Sequence, residues 1–178
     1  MKYKEELIRS MEYLSQDDRT IFVGQTTEFK GNALYGTLVN VPMDKRIEMP
    51  VAEDLQMGFC TGLALNGYIP VSFFPRMDFM MCGMNQLVNH LDKFEIMTEG
   101  MHRPRQIIRT AVGSTSPLDG GVQHTQNHIN GFRKILTNVD IVELDKPEDI
   151  FSAFKYALER EDFKSTILVE WGDYYNEK

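Results

Sequence analysis

Cysteine is scarce in this chain: Cys60 and Cys82 are the only two among 178 residues. That count excludes a disulfide framework and suits reduced, buried thiols in a cytoplasmic protein. No stretch of about 18 apolar residues occurs, so no membrane span is expected. The opening MKYKEELIRSMEYL is charged and amphipathic and lacks the apolar core of a secretory signal. Runs of lysine and arginine are missing, as is any interleaving of basic and aromatic residues. With a net charge of -7, this argues against nucleic-acid binding. Repeats, low-complexity tracts and linkers are also absent. What is present is an ordinary globular composition, 42% hydrophobic and 25% charged, which predicts one domain with a sizeable core.

The stretch from Met49 to Phe79 organises the rest. Pro50 and Glu53 open a glycine-punctuated apolar run (Gly58, Gly62, Ala64). Asn66-Gly67 makes a turn, Ile69–Phe74 reads as a strand, and Phe73, Phe74, Met77 and Phe79 gather at its end. Around this segment the patterns alternate. Tyr3, Leu7, Met11 and Leu14 predict a helix over 2–15, stopped by Asp17-Asp18. Thr20–Val23 is a strand, 25–41 a loop lining a site, and Ile47 lies in a brief strand. A helix follows over 53–65, whose glycines imply close packing. One long helix is predicted over 79–97, a strand over 104–110, and a glycine- and serine-rich loop over 112–123. A helix over 124–135, a strand over 139–144, a helix from Pro147 to about 160 and a strand over 165–171 complete the series, before a polar tail. This alternation predicts an α/β fold, a doubly wound, mainly parallel sheet with helices on both faces. Ligands bind at the carboxyl ends of strands in such sheets.

Several residues have two readings. Glu53 is either a helix N-terminal carboxylate favoured by the dipole or a ligand-binding acid. Phe79 is a core aromatic or a ligand wall, and Phe74 is core. Arg109 binds a substrate carboxylate or pairs with a buried acid. His124 follows the Gly120-Gly121 loop and is a candidate acid or hydrogen-bond donor. His128 lies one turn further on, but too few ligands accompany the pair for zinc. His90 and His102 read as structural, and the methionines around 77–84 as adaptable packing at a subunit interface.

Pro50-Val51-Ala52-Glu53, the run Gly62–Val71, Met77-Asp78-Phe79, Asn85–Asn89, Arg109, Gly113 and Gln123-His124-Thr125-Gln126 form an ordered series. It resembles the pyrimidine-binding domain of the transketolase superfamily of thiamine-diphosphate enzymes. The similarity is greatest to beta subunits of the 2-oxo acid dehydrogenase decarboxylating component, and it extends from about Thr20 to Trp171. The resemblance implies thiamine diphosphate as cofactor, with Glu53 as the carboxyl group that activates the aminopyrimidine through its ring nitrogen. Phe79, with Met77, is implied as the wall against that ring, His124 as the active-site histidine, and Arg109 with His124 as substrate contacts. A carboxyl group in a partly desolvated pocket shares a proton with a weakly basic ring nitrogen. An aromatic wall adds about 0.5–1.5 kcal/mol beyond burial, and a histidine can stabilise a developing oxyanion.

Two departures from the family pattern shape the expectation. Gln25-Thr26 follow Gly24 where the dehydrogenase subunits have an acidic pair. The glycine-aspartate-glycine motif that holds magnesium and diphosphate has only a poor counterpart in Gly172-Asp173-Tyr174. The expectation is therefore a beta-like subunit lacking the family's C-terminal domain and holding no metal itself. An alpha-like partner carrying magnesium is expected to complete an α2β2 heterotetramer that cleaves a 2-oxo acid or ketose. The alternatives are a non-catalytic paralogue acting in regulation or assembly, and a split decarboxylase of the sulfopyruvate type.

Overall fold

The computed structural model describes residues 2–175. Six parallel strands form one sheet in the order β2-β1-β3-β4-β6-β5: β1 (Thr20–Gly24), β2 (Arg46–Glu48), β3 (Ile69–Phe74), β4 (Ile107–Val112), β5 (Val139–Glu143) and β6 (Ser165–Trp171). Neighbouring residues on the central strands face opposite sides. Phe73, Ile107 and Leu168 enter one core; Phe74, Ile108 and Ile167 enter the other. Both faces are covered, which is why these strands read as continuous apolar runs rather than alternating ones. Each such side chain contributes about 1.5–3 kcal/mol by leaving water.

Helices α1 (Tyr3–Ser15) and α6 (Pro147–Glu159) cover the first face. Helix α1 buries Tyr3, Leu7, Met11 and Leu14 as its periodicity predicts, and Leu34, Leu38 and Val41 join the same core. The second face carries α2 (Glu53–Leu65), the segment from Met77 to Met97, and α5 (Ile129–Ile135). Connections leaving β1 and β6 therefore run to the first face, and those leaving β3 and β4 to the second. Between β1 and β3, and again between β4 and β6, the chain parts at the carboxyl edge of the sheet and leaves a crevice. Gly24 lets β1 and β3 lie this close, because a Cβ there would meet Phe73 Cβ at 2.7 Å.

Three expectations change. The single helix over 79–97 is a succession: α3 (Met77–Met80), a 3₁₀ turn (Met81–Gly83), a π-helix (Asn85–Leu91) and α4 (Phe94–Met97). In π geometry residues four and five apart share a face. Leu87, Leu91 and Asp92 are accordingly all buried, and Asp92 accepts from the amides of Thr137 (2.9 Å) and Asn138 (2.7 Å). The helix predicted over 124–135 begins only at Ile129, where Asn127 Oδ1 accepts the Ile129 amide; His124 lies in the turn before it. The polar tail is not wholly solvated either. Gly172–Tyr175 form a 3₁₀ turn, and Tyr175 is buried against Tyr3 with its hydroxyl on Glu170. Residues 176–178 of that predicted tail lie outside the described residues.

Candidate active site

Helix α2 starts at the carboxyl edge of the sheet because Gln56, in its first turn, is buried and donates Nε2 to Phe73 O (2.8 Å) and Ser72 Oγ (3.1 Å). Glu53 is thereby fixed, half-buried, as the first residue of the helix. Its Oε1 accepts from Gln25 Nε2 at 3.2 Å. Gln25 belongs to the loop after β1, and Glu48 holds that loop in place. The Glu48 carboxylate accepts from the amides of Thr26 (2.6 Å), Thr27 (2.8 Å) and Glu28 (2.9 Å), gathering a turn in which Thr26 has φ 58°. The residue standing in the family's acidic-pair position thus touches Glu53 directly.

The 3₁₀ turn at Met81–Gly83 lies against the start of α2, with Gly83 packed on the Glu53 carbonyl, where an added Cβ would sit 3.2 Å away. Just before that turn, Phe79 remains 37% exposed. Its ring meets the His124 imidazole edge-on, with centroids 5.3 Å apart and planes at 78°. Gly113 permits this arrangement: a Cβ there would lie 1.8 Å from His124 O and 3.2 Å from Arg76 Cδ. Asp78, 8% exposed, anchors the loop beyond His124 by accepting from Gln126 N (3.2 Å) and Nε2 (2.9 Å).

Of the residues singled out in the sequence, Glu53, Phe79 and His124 reach this edge with exposed surface. Two others do not. Met77 is 0% exposed within the second core, its sulfur accepting the His128 amide, so it presents no surface at this edge. Arg109 is also 0% exposed. Its Nε and Nη2 donate to Glu170 Oε1 (2.5 Å) and Oε2 (2.9 Å), and Nη1 to Thr37 Oγ1 (3.0 Å). Of its two readings, pairing with a buried acid is the one the packing realises. Asp173 of the weak glycine-aspartate motif closes the 112–123 loop by accepting from Thr115 N (2.7 Å) and Ser116 N (3.1 Å). Glu48 and Asp78 were not singled out for a role. Their importance comes from contacts across 20 or more residues, which no local pattern carries.

Among the described residues no cluster of histidine, cysteine and carboxylates could hold a metal ion, and no helix is long and apolar enough to cross a membrane. Two buried polar atoms at this edge, His124 Nδ1 and Asp78 Oδ2, have no partner among the described residues. A more open hollow of about 510 Å³ lies at the opposite edge, but Arg19 and Arg160 there are already paired with Asp17, Asp140 and Asp162.

The architecture defines a parallel α/β ligand-binding domain with a carboxylate, an aromatic ring and an imidazole at its carboxyl edge. Its sequence matches the family "Transketolase, pyrimidine binding domain" over residues 8–175, and the chain belongs to that family, a domain of thiamine-diphosphate-dependent enzymes. It is 22% identical over 151 residues to the 3-methyl-2-oxobutanoate dehydrogenase subunit beta of Mycobacterium tuberculosis strains CDC 1551 and H37Rv. That alignment covers 82% of this chain and 42% of the relative, so the chain spans under half the length of these proteins. A solved "split gene transketolase, inactive beta4 tetramer" superposes with a TM-score of 0.64 at 16% identity, covering 96% of this chain and 51% of the other. That likeness confirms the fold.

Proposed function

We propose that this chain is the beta-like subunit of a split thiamine-diphosphate-dependent enzyme that cleaves a 2-oxo acid or ketose and transfers or releases the acyl or aldehyde unit. The observation that carries the reading is the placement of Glu53. It is a half-buried carboxylate in the first turn of α2, held by Gln25 at the carboxyl edge of the sheet. A partly exposed aromatic ring and an imidazole stand beside each other at the same edge.

These residues fit the aminopyrimidine half of the cofactor. Glu53 Oε1 is engaged by Gln25, which leaves Oε2 to meet a ring nitrogen. Phe79 supplies an apolar ring face, and the unpartnered Nδ1 of His124 and Oδ2 of Asp78 suit a site completed by another group. The cofactor, when bound, supplies the carbanion-stabilising carbon for cleavage next to a carbonyl. Glu53 holds the proton shared with the ring, and His124 donates a hydrogen bond or a proton toward the substrate oxygen. Phe79 excludes water from the ring face. An alpha-like partner brings magnesium and the diphosphate site, and an α2β2 assembly places each active site between unlike chains.

The test is Glu53→Gln in the complex reconstituted with its partner. Turnover should fall by at least about 10²-fold, the scale of an acid–base group, with the unfolding midpoint unchanged. Near-normal turnover would overturn the assignment and leave a non-catalytic partner as the reading.

A further inference from the structure

The crevice between the diverging connections holds a cavity of about 260 Å³, lined by the loop after β1 (Gly31–Leu34), by Pro75-Arg76 after β3, by Ser114 and Leu118 beyond β4, and by Gly172 and Tyr175 after β6. Four strand ends contribute to it, as at a ligand site of a doubly wound sheet. Its volume lies below the roughly 300–1,000 Å³ of pockets for drug-sized ligands, which suits part of a small metabolite.

Among the described residues, Arg76 is the one ionised side chain in this lining. It forms no ion pair among the described residues, and its single hydrogen bond is a long one, Nη1 to the adjacent Pro75 O at 3.5 Å. None of the carboxylates on these strand ends forms an ion pair with Arg76 among the described residues; most hold backbone amides or another arginine, while Asp78 keeps Oδ2 unpartnered. Asp173 accepts from Thr115 and Ser116, Asp78 from Gln126, Glu48 from the amides at 26–28, and Glu170 lies buried on Arg109. Other polar groups in the wall are taken too. Ser114 Oγ donates to Leu118 O, Asn32 Nδ2 to Thr26 Oγ1, and the Tyr175 hydroxyl to Glu170. In a chain of net charge -7, this cavity keeps a guanidinium with no ion-pair partner among the described residues, and its planar fork matches an oxyanion in bidentate geometry. Gly113 lies against both Arg76 Cδ and the His124 carbonyl, so Arg76 and the main chain of His124 flank the same residue.

From this we infer that Arg76 is the specificity-determining residue for an anionic substrate, binding its terminal oxyanion in the cavity while the reacting carbonyl faces His124. The inference rests on the enzymatic reading above for the word substrate; the oxyanion site itself does not. A 2-oxo acid carboxylate and a sugar phosphate share this chemistry.

The 178-residue chain, wild type, Arg76→Gln and Arg76→Lys, is titrated with pyruvate and separately with inorganic phosphate, following backbone amide resonances together with arginine Nε–Hε resonances. One arginine resonance, absent from Arg76→Gln, should shift saturably. Loss of the guanidinium should weaken binding by about tenfold or more, the worth of a charge-assisted hydrogen bond, and lysine should recover part of it. Tighter binding of pyruvate identifies a carboxylate substrate, and tighter binding of phosphate a phosphorylated one. Absence of a saturable shift with either anion, or equal binding by Arg76→Gln, overturns the inference. In the reconstituted complex Arg76→Gln should raise KM at least tenfold with kcat within threefold, whereas Glu53→Gln should lose kcat and titrate normally. Should Glu53→Gln stay active, the enzymatic reading fails while the titration still reads the oxyanion site.

Discussion

Replacing Arg109 with methionine strands a carboxylate in the middle of the protein. Arg109 and Glu170 are each 0% exposed and joined by two hydrogen bonds, Nε–Oε1 at 2.5 Å and Nη2–Oε2 at 2.9 Å. Phe73 stacks on the guanidinium with its ring centroid 4.9 Å away, and Thr37 and Tyr175 complete the group. Removing one partner of a buried pair costs about 3–5 kcal/mol, because the other charge loses both water and its counterion. Against a total stability of about 5–15 kcal/mol, that is a large fraction. With a urea m-value of about 1–3 kcal/mol/M, the midpoint should fall by more than about 1 M, and Tm by roughly 6–20 °C at about 2–4 °C per kcal/mol. The double variant Arg109→Met/Glu170→Met removes both charges and should regain much of the loss. Urea titration followed by circular dichroism measures all three proteins. A single variant within about 1 kcal/mol of wild type, or a double variant worse than the single by the full additive amount, would refute the account of Arg109 as a core ion pair.

Acid stability and thiol reactivity provide two further checks. Hydrogen bonds from Arg19 hold the Asp17 carboxyl at about 2, and those from Arg160 do the same for Asp162. Both values lie below the ordinary 3.8, so the unfolded chain binds these protons more readily. The stabilisation is complete above about pH 4 and is lost as pH falls through about 2. Asp17→Asn and Asp162→Asn should each flatten that part of the acid-unfolding curve, by no more than about 1 kcal/mol given their exposure; an unchanged slope would refute the assignment. Burial pushes the Cys60 thiol up to about 12 although Ser72 hydrogen-bonds it, whereas Cys82 is exposed. At pH 8 a thiol reagent should therefore modify Cys82 alone in the native chain and both after denaturation; rapid modification of both in the native chain would contradict the buried position of Cys60.

Much of the architecture was legible because it rests on local periodicity. The apolar runs at Ile69–Phe74 and Ser165–Trp171 are continuous because both faces of those strands are covered, and the spacing of Tyr3, Leu7, Met11 and Leu14 is the buried stripe of α1. The break in the helix over 77–97 was not legible. Its π turn exists to aim Asp92 at amides more than 40 residues away, and a sequence window cannot see that partner. The late start of α5 has a similar origin, since the segment from His124 to His128 is held by Asp78 and Met77 rather than by its own helical bonds.

At the candidate site the division is chemical. The sequence by itself determined the alternating α/β order, the family, and the presence of Glu53, Phe79 and His124, because residue type and spacing carry that information. Only the tertiary structure decided which of the residues singled out reach the carboxyl edge with exposed surface. It placed Met77 in the core, closed Arg109 onto Glu170, and left Arg76 in the crevice without a counterion among the described residues. Whether a charge is available depends on which opposite charge reaches it in three dimensions, and for Arg109 that partner lies 61 residues along the chain.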